Sequence, residues 1–145
     1  MKTQIRNAFT LIEILIVVVI MAILAATIIP QFTDSTADAE VATTEFNLNT
    51  VRSQIELYKA QHGGNLPAFA SGVITGLTSE TTYNSKTYGP YLAKMPTNTI
   101  TGSDVVVEVT GANPIDVINV TGSNGWLYHS GTGEIRIDHL SHWDK

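Results

Sequence analysis

The 145-residue chain contains no cysteine, which excludes disulfide scaffolds, thiolate metal sites and cysteine nucleophiles. Charged residues are also scarce, at 14% of the chain, and the 13 acidic residues outnumber the 8 basic ones for a formal net charge of -5. Nucleic-acid binding needs a clustered basic face, so this balance gives no support to a nucleic-acid partner. The length leaves room for one modest domain.

A long apolar run occupies residues 9–29, and its only charged residue is Glu13. As a helix it would rise about 31 Å, at about 1.5 Å per residue, which matches a bilayer core of about 30 Å. Lys2 and Arg6 precede the run and acidic residues follow it. The positive-inside rule therefore predicts a transmembrane helix with a cytoplasmic N-terminus and the remainder of the chain on the other side.

Two simpler interpretations of this run are a cleaved secretory signal peptide and a plain membrane anchor. A cleaved secretory signal peptide would explain the basic start and the small-residue triplet at 37–39, but its apolar region should be about 7 to 15 residues long. A plain membrane anchor leaves Glu13 unexplained, because a carboxylate near the middle of a spanning helix costs about 2.5 to 3.5 kcal/mol without a partner. Near the cytoplasmic end, the same carboxylate could reach the headgroups at little cost.

Residues 8–13, Ala-Phe-Thr-Leu-Ile-Glu, follow a short basic leader and open the apolar run. This arrangement resembles the cleavage and methylation motif of type IV prepilins and type II secretion pseudopilins. The resemblance implies that a prepilin peptidase cuts between Ala8 and Phe9 and methylates the new amine of Phe9. It also implies that Glu13 pairs with the N-terminal amine of a neighbouring subunit during assembly, and that Pro30 marks a helix kink. The family prefers glycine at the position of Ala8.

Many type IV pilins close their C-terminal region with a disulfide, which this chain cannot form. The resemblance therefore favours a type II secretion pseudopilin, most like the major one, over a type IV pilin of a surface pilus. It implies a non-enzymatic structural subunit, held in the inner membrane with a periplasmic C-terminal domain, that joins a periplasm-spanning fibre and helps drive protein export. Its partners would be membrane lipid, prepilin peptidase, the assembly platform, further copies of itself and minor pseudopilins.

A membrane-anchored binding module or an enzyme is the alternative of another class. Trp126, Trp143 and the tyrosines could serve a binding role, although aromatic residues in strands are more often core. The sequence contains no nucleophile elbow, phosphate loop or metal-binding helix motif. The pattern thus gives no support to enzymatic activity.

The polar stretch that follows the apolar run keeps apolar residues at helical spacing and ends in a double glycine, Gly63-Gly64. The predicted apolar stripe consists of Ala37, Val41, Leu48, Val51, Ile55 and Tyr58. We therefore predict five segments. They are a leader at 1–8, a transmembrane helix at 9–29, its amphipathic continuation at 30–62, a connecting loop with a short helical turn at 63–103, and a sheet with a C-terminal tail at 104–145.

Segments rich in β-branched and aromatic residues, bounded by Gly, Asn or Ser, predict strands at 104–110, 115–120, 125–130 and 133–138. Residues 130–133, Ser-Gly-Thr-Gly, suit a hairpin connection between the last two. The expected fold is α+β and pilin-like, with a long N-terminal helix packed on a small antiparallel sheet.

We predict no metal and no cofactor, with calcium as the alternative, because the major pseudopilins that the chain resembles often bind calcium in their C-terminal loops. The available carboxylates are Asp104, Asp116, Asp138 and Asp144, and their spacing matches no known calcium loop. His139 and His142 could instead be read as transition-metal ligands, but we predict a solvated polar tail there.

Overall fold

The computed structural model describes residues 9–111 and 114–144, except for the side chains of residues 29–34. The chain divides into two compact units, residues 1–38 and 39–145. Helix α1, Leu11–Gln61, contributes to both units, so the predicted long N-terminal helix is confirmed. Pro30 lies within α1, and whether it kinks the helix stays a prediction.

In the C-terminal unit, α1 buries one face at spacings of four and three residues, as an amphipathic helix should. The buried side chains are Thr44, Leu48, Val51, Ile55 and Tyr58. The predicted stripe is wrong at its start, because Ala37 is exposed and Val41 is only half-buried. Burial therefore begins with a threonine, which an apolar pattern cannot identify.

The double glycine ends α1 as predicted. Gly63 has a φ of +64°, which favours glycine, and a Cβ there would lie 2.3 Å from the hydroxyl of Tyr83. The N–H of Gly64 donates to the carbonyl of Lys59 at 2.8 Å and satisfies one of the last helical carbonyls. The close approach of Tyr83 also brings the following loop against the helix end.

The connecting segment contains the predicted helical turn, α2, at Thr75–Thr78. It also contains a hairpin that we did not predict, formed by antiparallel strands β1 (Thr81–Tyr83) and β2 (Lys86–Tyr88). Its turn residues, Asn84 and Ser85, have φ values of 49° and 62°. Positive φ at both central residues is what a tight two-residue hairpin requires.

The second sheet consists of β3 (Val106–Glu108), β4 (Trp126–His129) and β5 (Glu134–Ile137), in that order. Three of the four predicted strands are confirmed, and β4 and β5 form the predicted antiparallel hairpin. The strand predicted at 115–120 is wrong. That segment contains a single turn of 3-10 helix, Val117–Asn119, capped by Asp116.

Strand β3 runs parallel to β4, with Val106 opposite Trp126, so the prediction of an antiparallel pairing is wrong here. The physical reason is the missing strand. Because residues 115–120 do not pair, the chain from 109 to 125 acts as a crossover and returns to start β4 in the same direction as β3. The α+β architecture itself is confirmed, and its sheet is mixed.

One hydrophobic core joins the buried face of α1 to the sheet. Its sheet residues include Val106, Trp126, Tyr128, Ile135 and Ile137, all at most 1% exposed. The two aromatic residues of the sheet also have partners for their polar atoms. Trp126 Nε1–H donates to the Pro96 carbonyl at 2.8 Å, and the Tyr128 hydroxyl donates to the Pro67 carbonyl at 2.9 Å. These bonds fasten the connecting segment to the sheet.

Candidate functional site

Helix α1 begins with a capping box formed by Thr10 and Glu13. The backbone N–H and the hydroxyl of Thr10 each donate to Glu13 Oε2 at 2.8 Å. In return, the backbone N–H of Glu13 donates to Thr10 Oγ1 at 3.3 Å. Two backbone donors at the helix start are satisfied in this way, and the negative carboxylate lies at the positive end of the helix dipole.

Sequence reasoning missed this role of Glu13, although the Thr-x-x-Glu signature of a capping box is legible at residues 10–13. The capping box gives the carboxylate a partner within its own chain. A charge in this helix therefore does not by itself require a neighbouring subunit. Since both bonds from Thr10 reach Oε2, the capping box fixes the position of the carboxylate at Thr10, the residue that follows Phe9 in the chain.

The apolar part of α1 makes an uncovered surface. Every residue from 9 to 28 is exposed, with Phe9 at 81% and Leu11 at 84%. The segment Leu11–Ile28 has a mean hydropathy of 3.0 and is long and apolar enough to cross a membrane once. An apolar surface of this extent needs lipid or other protein to cover it. Ala8, the other residue of the predicted cleavage site, lies outside the described residues.

The four carboxylates considered for calcium have different environments. Asp104, Asp116 and Asp144 are exposed, and Asp116 caps the 3-10 helix. Asp138 is fully buried and holds the segment 121–124. Its carboxylate accepts from the N–H groups of Thr121 at 2.6 Å, Gly122 at 2.9 Å and Asn124 at 3.0 Å, and from the Thr121 hydroxyl at 2.6 Å.

Burial raises the pKa of Asp138, but the hydrogen bonds from Thr121, Gly122 and Asn124 together outweigh it, so the pKa lies below its usual value. Both carboxylate oxygens are already occupied by N–H and O–H donors. Among the side chains that the structure describes, no three His, Asp or Glu form a group that could hold a metal ion. The Asp138 carboxylate therefore acts as a loop anchor here, and calcium binding stays a prediction.

His62 makes its contacts separately from the C-terminal histidines, His139 and His142. His62 stacks on Tyr58 with ring centroids 3.8 Å apart, and its Nε2 lies 2.9 Å from the Thr81 hydroxyl. His139 and His142 stack on each other at 5.4 Å within the C-terminal turn. The structure thus places His62 in the contact between the end of α1 and the β1–β2 hairpin.

The two tryptophans differ in exposure. Trp126 is fully buried in the core, which removes it from the candidate binding residues. Trp143 is half-buried, and the guanidinium of Arg136 lies 5.5 Å from its ring centroid. This cation–π contact fastens the C-terminal tail to β5.

Comparisons with known proteins support the N-terminal resemblance. Residues 4–29 match the family described as the prokaryotic N-terminal methylation motif. Type II secretion system core protein G of Pseudomonas aeruginosa is 36% identical over 59 residues. That match covers 41% of this chain and 42% of the relative, so it spans less than half of either protein. No solved structure gives a significant match to the chain.

Proposed function

We propose that this chain is a structural subunit of a type II secretion pseudopilus, which assembles through its N-terminal helix and helps drive protein export across the outer membrane. The observation that carries the proposal is the exposed apolar helix segment that lies within the match to the methylation motif and has Glu13 in its first turn. The similarity to type II secretion system core protein G of Pseudomonas aeruginosa supports the choice of system. Similarity to a structural protein also favours a subunit without enzymatic activity.

In this proposal, prepilin peptidase removes residues 1–8 on the cytoplasmic side and methylates the amine of Phe9. The mature chain is then stored in the inner membrane with its C-terminal unit in the periplasm. The assembly platform extracts it into a polymer of identical copies with minor pseudopilins. The apolar surface of residues 9–28 exchanges lipid for neighbouring helices during this transfer.

Glu13 sets the register of the polymer in this proposal. A carboxylate and an ammonium buried together neutralise each other, whereas a helix shifted out of register leaves both without a partner. Because the capping box positions the carboxylate, Glu13 can meet a neighbour's Phe9 amine with little further ordering. The capping box and the pairing use the same side chain for two separate purposes.

Mass spectrometry of the mature protein tests the processing step. We expect a chain that begins at an N-methylated Phe9, and an Ala8→Gly variant that is processed at least as completely. An intact Met1 in cells with an active prepilin peptidase contradicts the proposal. A chain that begins at Glu40 identifies a cleaved signal peptide instead.

Deletion of the gene tests the choice of system. We expect a secreted protein of the host to accumulate in the periplasm, and re-expression of the wild-type chain to restore its export. Surface pili should be unaffected in the same strain. Normal export together with loss of surface pili would identify the chain as a type IV pilin subunit and contradict the proposed pseudopilin function.

A further inference from the structure

The C-terminal unit presents an apolar turn that its own fold leaves uncovered. Ile118 lies in the 3-10 helix Val117–Asn119 and is 85% exposed, more than any other large apolar side chain described in this unit. Val117 beside it is 43% exposed. An isolated exposed apolar residue needs no explanation, but this pair lies at the tip of an ordered turn.

This turn is fastened on both sides. Before it, the N–H of Ile115 donates to Glu134 Oε2 on β5 at 2.8 Å, and Asp116 and Asn119 form a capping box. After it, the buried Asp138 holds the next segment, from Thr121 onward. A backbone turn that is already held in place loses little conformational entropy when a partner covers it. The turn is therefore preorganised for contact.

A pocket of about 350 Å³ opens elsewhere in the same unit. Its apolar lining includes Val73, Met95 and Val105, and Lys94 and Asp104 line it as well. Both charged residues are exposed. The pocket can therefore receive an aliphatic side chain while its charged residues meet the residues that flank that side chain.

We propose that Ile118 of one subunit inserts into this pocket on a second copy of the chain. Turn and pocket are different surfaces, so the contact is heterologous, and a heterologous contact whose rotation does not close a ring builds a helical fibre. The inference rests on the proposed function, because only a polymer supplies the second copy in this arrangement.

Charge fixes the orientation of this contact. Asp116 is exposed two residues before Ile118, so its carboxylate approaches the pocket together with the apolar tip. Lys94 attracts it and Asp104 repels it. The favoured orientation places Asp116 on the Lys94 side of the pocket.

The absence of native cysteine makes disulfide cross-linking a direct test, because any cross-link must come from introduced residues. Two single variants are expressed in the fibre-forming host, Ile118→Cys and Ala93→Cys, where Ala93 is an exposed residue of the pocket lining. We expect disulfide-linked dimers after oxidation of fibres that contain both variants, and none from fibres of either variant alone. Mixed fibres of Ile118→Cys and Thr82→Cys are the matched control, because Thr82 is at an exposed position on β1. We expect no dimers from these fibres.

Each other outcome is decisive. Dimers from Ile118→Cys fibres alone indicate a like-with-like contact and overturn the inference. Fibres that contain both variants without dimers overturn the inference and leave the proposed function intact. A wild-type chain that forms no fibre overturns the proposed function and the inference together.

Charge and size variants provide a second readout, the fibre yield at equal amounts of membrane-stored subunit. Ile118→Asp should lower the yield about tenfold, as expected when a central interface side chain is lost. Lys94→Glu should lower it less, and Asp104→Lys should maintain or raise it. Equal losses from Lys94→Glu and Asp104→Lys would contradict the proposed orientation.

Discussion

The two parts of helix α1 place similar apolar residues in opposite environments. Leu15 in the first part is 53% exposed, whereas Leu48 in the second part is 1% exposed and packs on the sheet. The backbone is the same regular helix in both parts. The difference comes from the sequence of each part, because only the second part has an apolar face and a polar face.

This contrast shows what stabilises each part of the helix. The second part is stabilised within its own chain, by burial against β3, β4 and β5. The first part has no such covering in residues 9–28 and depends on lipid or on other subunits. Changes in the first part should therefore affect assembly, and changes in the second should affect folding.

The largest effect should come from removing the charge of Glu13 while its capping role is kept. Glutamine also serves at this position of a capping box, so Glu13→Gln preserves the helix start and abolishes any pairing with an ammonium. Loss of one partner of a buried ion pair costs about 3 to 5 kcal/mol, which should abolish fibre formation. The measurement is the amount of sheared fibre at equal membrane content of subunit.

Thr10→Val is the matched control for this experiment, because it removes the capping hydroxyl and keeps the charge. We expect Thr10→Val to assemble far better than Glu13→Gln. Better assembly of Glu13→Gln than of Thr10→Val would show that the carboxylate acts only as a helix cap. It would contradict the proposal that the charge of Glu13 is needed for assembly.

A leucine-to-alanine pair tests the contrast between the two parts most directly. Leu48→Ala should lower the free energy of unfolding of the C-terminal unit by about 2 to 5 kcal/mol, because it leaves a cavity in the core. Leu15→Ala should change it by less than about 0.5 kcal/mol. Denaturation of the full-length chain in detergent, followed by the fluorescence of buried Trp126, provides the measurement.

A comparable loss from Leu15→Ala would mean that the exposed part of α1 contributes to the stability of the C-terminal unit. The separation of assembly from folding would then fail. A small loss from Leu48→Ala would instead mean that the core around this position collapses to fill the space.

The acid sensitivity of the C-terminal unit should depend on Asp138. Its pKa is lower in the folded chain than in the unfolded one, so its contribution is fully present above the usual carboxyl pKa and is lost as pH falls through the folded value. Asp138→Asn should cost about 1.5 to 3 kcal/mol at neutral pH, since the hydrogen bonds lose a charged acceptor.

Unfolding measured between neutral pH and about pH 3 checks this expectation. The wild-type chain should lose stability with acid, and the difference between it and Asp138→Asn should shrink. Asp144→Asn, which changes an exposed carboxylate of the same tail, should follow the wild-type curve. A constant difference across this range would contradict the assignment of a lowered pKa.

Local patterns were sufficient to predict much of the fold. Apolar spacing predicted α1, the double glycine predicted its end, and β-branched composition predicted three strands of the second sheet. The segment at 115–120 has the composition of a strand, yet Asp116 and Asn119 form a local capping box that competes with strand pairing. The β1–β2 hairpin depends on a positive-φ pair, Asn84 and Ser85, whose signal is weaker than Asn-Gly.

The candidate site was predictable only in part. The position of Glu13 after a basic leader is a local signal, and so is its overlooked capping box. The burial of Asp138 is not local, because its partners lie 14 to 17 residues away. Buried polar residues depend on such distant partners, and a sequence pattern does not reveal which loop returns to meet them.

The smallest effect should come from Thr44, the polar residue that begins the buried face of α1. Its hydroxyl lies 3.2 Å from Asn98 Oδ1 and 2.8 Å from Thr99 Oγ1, and it accepts from the Thr99 N–H at 3.1 Å. Thr44→Val keeps the shape and β-branching of the side chain but leaves these partners without it, so it should cost about 1 to 3 kcal/mol. Denaturation of the full-length chain in detergent measures that loss.

Thr43→Val isolates the role of burial in that loss. Thr43 is the adjacent residue, is exposed, and donates only to the carbonyl of Ala39 one turn earlier in the same helix. Valine and threonine have similar helix propensities, so Thr43→Val should change the free energy of unfolding by less than about 0.5 kcal/mol. Equal losses at the two positions would attribute the effect to the helix itself. A loss confined to Thr44→Val would locate the start of the packed part of α1 at this contact with Asn98 and Thr99.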